Sequence, residues 1–294
     1  MVLLPRFSVP ATWSHLGEAL GRTRVGIRTL DHDIVLLQAS SLLTRQMGMR
    51  VSLYLVGDLL IDTGFAHAEQ AVVSALAQRV VRAIACTHHH EDHTGNAAAL
   101  ARAHRSCPVF LRHPAQRWSE GVGELLPYRQ LYWGPAPDFA PEELPDELRL
   151  ERTLEVIPTP GHSRTHVVFH ERRTGVVLTG DLVVSAGASA VMAEENPYQL
   201  AESLRRVADL EPRLLLSGHG LILERPAERL RLKADRIESA TTKVCQLHRR
   251  GVPEDEITRR VFRGHWARER WGTWMTRGEF SRRNFVRSAL RFGA

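Results

Sequence analysis

Residues 87–95, THHHEDHTG, hold the densest set of metal-ligand side chains in the sequence. Four histidines and an aspartate fall within the six positions 88–93. Imidazole and carboxylate groups are the ligands that borderline divalent metals prefer. We therefore expect metal chemistry here. The alternative is an adventitious histidine cluster on the surface, and it holds only if the rest of the chain offers no further ligands.

The run is flanked by two regular elements that would position it. Residues 80–86 are apolar except for Arg82 and predict a short buried strand, and an alanine-rich helix is predicted from Gly95 onward. Ligands on a tight loop between the end of a strand and a helix are typical of α/β proteins, which hold their chemistry there.

Three later loops each place one ligand-type residue beside a glycine. They contain His162 in PGHS, Asp181 in TGD and His219 in SGHG, and each follows an apolar, strand-like run. Glycine allows the backbone to bend sharply at such turns and to bring a side chain to a shared centre. Four independent loops of this kind disfavour the surface cluster and favour a built metal site.

These motifs resemble those of the metallo-β-lactamase fold superfamily. The run at 88–93 matches the H-x-H-x-D-H signature, and the other loops match the remaining ligand motifs in the family's order. The matching residues are Asp62, His88, His90, Asp92, His93, His162, Asp181 and His219. The resemblance implies an α/β fold, a four-layer αβ/βα sandwich with a small C-terminal helical domain. It is nearly silent on the substrate.

The resemblance also implies a centre with two divalent metal ions. Its ligands would form two triads, His88, His90 and His162 for one ion and Asp92, His93 and His219 for the other. Asp181 would bridge the ions together with a hydroxide. Zinc is the expected metal, with manganese or iron as alternatives. Two such ions about 3.5–4 Å apart can share a hydroxide while one of them polarises a substrate oxygen.

Neighbouring residues are expected to support this chemistry. Asp92 could accept or relay a proton during the attack and is a catalytic candidate. His166 is a second candidate, either on the substrate side or behind a ligand. Asp62 would hydrogen-bond a metal histidine and fix its orientation, although a simple turn aspartate is the alternative. His89 and Glu91 alternate with ligands, so structural roles are expected for them.

We predict two domains, a catalytic one at 1–224 and a helical one at 225–294. Within the first, the prolines of 114–150 exclude long regular elements. We interpret this segment as an insertion that shapes the substrate pocket, with a packed surface loop as the alternative. Its candidate substrate contacts are aromatic, namely Tyr128, Tyr132 and Trp133.

Residues 225–294 are basic, with 18 Lys and Arg against 8 Asp and Glu, whereas the rest of the chain is slightly acidic. This region could bind nucleic acid through phosphate contacts and tryptophan stacking. It could also place arginines over an anionic small substrate, and Arg282 and Arg283 are the candidates. A solvated basic helical face is the third possibility.

The favoured function is hydrolysis of a small carbonyl substrate, a lactone, thioester, ester or amide. Alternatives are a phosphodiesterase or endoribonuclease, and an iron persulfide dioxygenase with a single metal. A cytoplasmic protein without membrane association is expected, because no apolar stretch approaches the roughly 18 residues needed to cross a bilayer. The sequence leaves the oligomeric state open.

Overall fold

Two mixed β-sheets pack face to face, and helices cover the outer face of each. The computed structural model describes residues 23–113, 125–135, 139–184, 191–262, 264 and 272–293. Within these residues the layers follow the order helix, sheet, sheet, helix. The predicted four-layer αβ/βα sandwich is therefore confirmed.

The first sheet has seven strands that are neighbours in chain order. They are β1 (Arg24–Thr29), β2 (Val35–Ser40), β3 (Val51–Val56), β4 (Leu59–Ile61), β5 (Ala83–Ala85), β6 (Val109–Leu111) and β7 (Glu142–Glu143). Pairing is antiparallel from β1 to β4 and parallel from β4 to β7. Strands β3 and β4 form a hairpin, with Gly57 at a φ of 62° in its turn.

The second sheet has six strands in the order β13-β12-β11-β10-β9-β8. They are β8 (Glu147–Arg149), β9 (Thr153–Pro158), β10 (Val167–Glu171), β11 (Val176–Leu178), β12 (Leu214–Leu216) and β13 (Ile222–Glu224). Only the β11–β12 pair is parallel. Tyr54 and Phe169, both fully buried, are among the largest side chains between the two sheets.

The main α-helices of the described residues number nine. They are α1 (Leu42–Gln46), α2 (Glu69–Leu76), α3 (Glu91–Thr94), α4 (Ala97–Ala103), α5 (Pro127–Trp133), α6 (Pro197–Ala208), α7 (Ala227–Arg249), α8 (Glu254–Val261) and α9 (Arg282–Phe292). The start of α6 is fixed by its capping residues. Asn196 caps it by accepting hydrogen bonds from the backbone of Tyr198 and Gln199, and Pro197 occupies its first position.

The C-terminal helices pack directly on the second sheet. Ile237 of α7 and Phe285 of α9 lie in one hydrophobic cluster with Val177 and Leu215 of that sheet. Helices α7 and α9 therefore belong to the outer helical layer of the sandwich together with α6. No helix among the described residues is long and apolar enough to cross a membrane.

Residues 114–150 are more regular than expected. Pro127 stands at the first position of α5, where its missing N–H costs no hydrogen bond, so it starts a helix rather than preventing one. The same stretch supplies β7 and β8, one strand to each sheet. Residues 114–124 and 136–138 of the predicted insertion lie outside the described residues.

Candidate metal centre

The seven expected ligands converge at one edge of the sandwich, where four strands end. The loop after β5 carries the histidine run, and the turns after β9, β11 and β12 carry one ligand each. Three overlapping groups place their ligand atoms within 4.8 Å of one another, namely His88–His90–His162, His88–His93–Asp181 and Asp92–His93–His219. The first and the last are the two triads expected from the sequence.

The first triad consists of three buried imidazoles. Nδ1 of His90 lies 2.9 Å from Nε2 of His88 and 3.1 Å from Nε2 of His162. Burial, followed by the charges of neighbouring histidines, lowers the pKa of His88 and His90 well below the ordinary value. These two imidazoles are therefore neutral at pH 7, which is the form that coordinates a metal.

Asp181 lies between the two triads. Its Oδ1 is 3.2 Å from Nε2 of His93, and its Oδ2 is 3.2 Å from Nε2 of His219 and 3.6 Å from Nε2 of His162. On the far side, Oδ2 of Asp92 lies 3.7 Å from His93 and 3.5 Å from His219. One carboxylate thus faces members of both triads, which is the position a bridging ligand requires.

Three of the imidazoles, those of His88, His93 and His219, have a fixed partner at their outward nitrogen. Nδ1 of His93 donates to Oδ2 of Asp62 at 2.8 Å, and Nδ1 of His219 donates to the carbonyl of Arg50 at 2.9 Å. Nδ1 of His88 lies 3.0 Å from the Thr87 hydroxyl. Because these contacts hold the rings by one nitrogen, Nε2 is left to face the centre.

Asp62 orients more than one part of the site. Its Oδ1 accepts a hydrogen bond from the backbone N–H of Thr87 at 2.8 Å, while its Oδ2 holds His93. Its φ of 59° is tolerated by aspartate better than by most residues. The structure thus places Asp62 behind His93, one of the expected ligands, and couples it to the start of the histidine run.

The close approach of two loops depends on Gly218. Its N–H donates to the carbonyl of Gly180 at 2.8 Å and so ties the turn of His219 to that of Asp181. A Cβ at this position would lie 2.6 Å from Cε1 of His93 and 2.9 Å from Oδ1 of Asp181. Only a residue without a side chain fits against these ligands.

The ligand atoms are arranged to bind metal ions, because hydrogen bonds among them leave some buried atoms without a partner. Nε2 of His93 and Oδ1 of Asp181 are buried and face each other, but neither has a hydrogen bond among the described residues. Buried polar atoms without partners are rare in proteins. Nitrogen and carboxylate donors that converge in this way are the ligands of zinc, iron or manganese, and a bound ion would satisfy them.

The charges around the second triad also favour a bound cation. Burial disfavours the charged imidazole of His219, but the carboxylate of Asp181 outweighs it and raises the pKa to about 9. Burial likewise disfavours ionised Asp181, but His219 and His93 hold its pKa well below the ordinary value. In the metal-free protein His219 therefore carries a proton beside Asp181, at the position where a metal cation would bind.

His166 lies behind the centre and not on the substrate side. Its Nε2 accepts a hydrogen bond from the backbone N–H of Asp181 at 3.1 Å, and its Nδ1 lies 2.8 Å from the Thr159 hydroxyl. Burial lowers the pKa of His166 to about 3, so the ring is neutral. Of the two expectations for His166, this geometry favours the position behind a ligand.

Two carboxylates near the ligands make contacts that the sequence did not predict. Oε1 of Glu195 lies 3.6 Å from Nδ1 of His162, on the side of the ring away from the centre. Glu91 is buried and forms an ion pair with Arg129 of α5. Nothing in the sequence indicated the contact between Glu195 and His162.

A cavity of about 360 Å³ opens from the ligands, with His90, Asp92, His162, Asp181 and His219 in its wall. The three aromatic candidates also line it, namely Tyr128, Tyr132 and Trp133.

Arg282 and Arg283 are not among the lining residues. Arg282 donates to the carbonyl of Gly264 at 2.8 Å, and Arg283 pairs with Asp255 on the surface. The structure does not bring these two arginines to the site, because α9 turns their side chains away from it.

Fold and site together define the class, an αβ/βα sandwich with a candidate centre for divalent metal ions at one edge. Residues 48–219 match the family model described as the Metallo-beta-lactamase superfamily. This match covers more than half of the chain, and the chain belongs to that superfamily. The family predicted from the ligand motifs is thereby confirmed.

Several curated proteins are similar to this chain. The Beta-lactamase-like protein 2 homolog of Drosophila melanogaster is 27% identical over 59% of this chain, and the Atrochrysone carboxyl ACP thioesterase of Aspergillus fumigatus is 29% identical over 60%. The chain spans 59% and 52% of the length of these two proteins. A Hydroxyacylglutathione hydrolase of Aeromonas salmonicida is 28% identical over 66% of this chain and 70% of its own length.

Solved structures with the same fold contain different metals. The protein TTHA1623 in a di-iron-bound form is 28% identical, with a TM-score of 0.52 over 61% of this chain and 92% of that one. The metallo-beta-lactamase FIM-1 from Pseudomonas aeruginosa, in a mono-zinc form, is 18% identical with a TM-score of 0.54 over 72% of this chain and 96% of that one. The second likeness concerns the fold alone.

Proposed function

We propose that the protein is a dinuclear metal-dependent hydrolase that acts on the acyl carbonyl of a small ester-type substrate, with thioesters as the first choice. The observation that carries this proposal is the position of Asp181 between two ligand triads at the wall of a substrate-sized cavity. The similarity to a thioesterase and to a hydroxyacylglutathione hydrolase supports the choice of thioesters.

The residues present fit two ions, with zinc as the first choice and iron or manganese as alternatives. The triad of His88, His90 and His162 would hold one ion, and the triad of Asp92, His93 and His219 the other. When bound, such ions make water acidic enough to ionise near pH 7 and polarise a carbonyl oxygen.

The protein's own groups would complete the reaction. Asp92 lines the cavity, and its Oδ2 lies 3.5 Å from Nε2 of His219 in the second triad. A carboxylate at this position would lie beside the attacking water and would accept the proton that the water loses. Asp62, Glu195 and His166 would keep the ligands in place. Because the site is preorganised in this way, little rearrangement would accompany the attack on the carbonyl carbon.

The complete second triad favours a dinuclear hydrolase over a dioxygenase with one metal. Nothing in the described part of the basic C-terminal region specifically favours nucleic acid as the substrate. The tail arginines Arg231, Arg260, Arg283 and Arg287 are engaged by acidic side chains within the chain itself.

The test is the metal content and activity of the Asp181→Ala variant. The wild-type protein should bind two ions and hydrolyse thioesters, whereas the variant should lose at least one ion and all turnover. Asp146→Ala is the matched control, because the Asp146 side chain is 90% exposed and is paired only with Arg112 among the contacts described. Full activity in Asp181→Ala would refute the proposed function.

A further inference from the structure

The cavity beside the metal centre is lined mainly by apolar side chains. Apart from the ligands, most of its wall is formed by apolar residues, among them Leu200 of α6, Ile237 of α7 and Phe285 of α9. Tyr132 and Trp133 of α5 also line it. A volume of about 360 Å³ is at the small end of the range for ligand pockets.

Methionines are concentrated in this wall. The chain has 5 methionines, and Met47, Met49, Met192 and Met275 all line the cavity. Met47 and Met49 remain more than a third exposed at their positions after α1. Methionine is flexible and polarisable, and it is used where an apolar surface must adapt to ligands of varying shape. This concentration favours a flexible apolar ligand over a rigid polar one.

The two cations of the wall have acidic partners within the chain. Arg129 binds Glu91 through two hydrogen bonds and Glu279 through a third at 3.1 Å. Lys233 lies close enough to Glu195 for attraction between the two charges. The described lining therefore does not favour an anionic group in the depth of the cavity.

We propose that this cavity binds the acyl group of the substrate and that this group is a medium-length aliphatic chain. The inference rests on the proposed function, because the hydrolysed carbonyl must lie beside Asp181 and His219 while the chain extends along Met275 and Ile237. The thiol part of the substrate would then leave through the mouth, past Met47 and Met49.

A series of N-acetylcysteamine thioesters from acetyl to decanoyl tests the proposal on the zinc-loaded protein. Each methylene that enters the cavity should raise kcat/KM about fourfold until the cavity is full, which is the factor expected for burial of one methylene. A flat series, or a preference for a charged succinyl thioester, would overturn the proposal.

A binding experiment separates this proposal from the proposed function. Decanoate should bind more tightly than butanoate when followed by calorimetry, whether or not any thioester is turned over. Chain-dependent binding without hydrolysis would refute the hydrolase and leave the acyl site standing. Hydrolysis without any chain dependence in rate or binding would refute the acyl site and leave the hydrolase standing.

A pair of variants locates the effect. Met275→Gln should lower kcat/KM for the decanoyl thioester about tenfold and leave that for the acetyl thioester within about twofold. Leu232→Gln is the matched control, since Leu232 is 46% exposed on α7 and outside the cavity wall. Equal effects of the two variants on the decanoyl substrate would argue against the proposed path of the chain.

Discussion

Glu91, in the middle of the histidine run, is bound at two points by Arg129 of α5. Nε of Arg129 lies 2.5 Å from Oε1 and one terminal nitrogen lies 2.6 Å from Oε2. The Glu91 side chain is 2% exposed and the Arg129 side chain 12%. Because α5 also supplies Tyr128, Tyr132 and Trp133 to the cavity, this pair connects the metal loop to the wall that would face the substrate.

Replacing Arg129 by methionine should destabilise the protein by about 3–5 kcal/mol, because it leaves Glu91 as a buried carboxylate without its main partner. Urea unfolding of the metal-free protein measures this loss. Arg205→Met is the control, since its partners Asp235 and Glu238 are largely exposed and such pairs contribute about 0–1 kcal/mol. A loss below about 1 kcal/mol in the Arg129 variant would contradict this account of the pair.

Asp62→Asn should weaken binding of the ion at His93 by about 10–100-fold. Asparagine keeps the left-handed backbone and can still accept from Thr87, but its amide cannot both do so and accept from Nδ1 of His93. Metal titration against a chelator measures the change. Asp58→Asn serves as the control. Asp58 is a buried turn aspartate at the other end of β4 from Asp62, and it accepts a hydrogen bond from the backbone N–H of Glu151. Equal affinity in the two variants would sink the role given to Asp62.

Gly218→Ala should fold but lose at least one of the two ions. The added Cβ would press on His93 and Asp181, and metal–ligand distances tolerate changes of only about 0.2 Å. Elemental analysis after dialysis is the measurement. In the control Gly26→Ala, the new Cβ has no neighbour within 4 Å. Retention of two ions by the Gly218 variant would show that the loops can separate without loss of the centre.

Metal affinity should rise with pH up to about pH 9. Below this value His219 of the metal-free protein carries a proton, because Asp181 raises its pKa to about 9, and a metal ion must displace that proton. The apparent affinity should increase by up to about tenfold per pH unit for each proton displaced. Calorimetry in two buffers with different ionisation enthalpies counts the released protons. Binding without proton release at about pH 7 would disprove this coupling.

The ligand positions could be predicted because each one is local in the sequence. A ligand-type residue beside glycine at the end of an apolar run indicates a strand-end loop, and strand ends meet at one edge of a sheet. His162, Asp181 and His219 follow this rule, His88 follows the apolar run of β5 without a glycine beside it, and the structure brings all four together. The hairpin of β3 and β4 and the start of α6 could be predicted for the same reason, from turn and capping residues.

Contacts between distant elements could not be predicted. Glu91 and Arg129 meet only because α5 packs over the metal loop, and Glu195 reaches His162 only because α6 starts beside its turn. Basic composition alone did not reveal which face of α9 carries Arg282 and Arg283. Such contacts depend on tertiary packing, which a single sequence does not specify.

Ile237 and Phe285 belong at once to the cavity wall and to the hydrophobic cluster that holds α7 and α9 on the second sheet. A substitution that enlarges the cavity for a longer substrate would therefore remove atoms from the core itself. Truncating such residues to alanine typically costs about 2–5 kcal/mol, a large share of the stability of a natural protein. Changes in substrate range during evolution would thus depend on stabilising substitutions elsewhere in the chain.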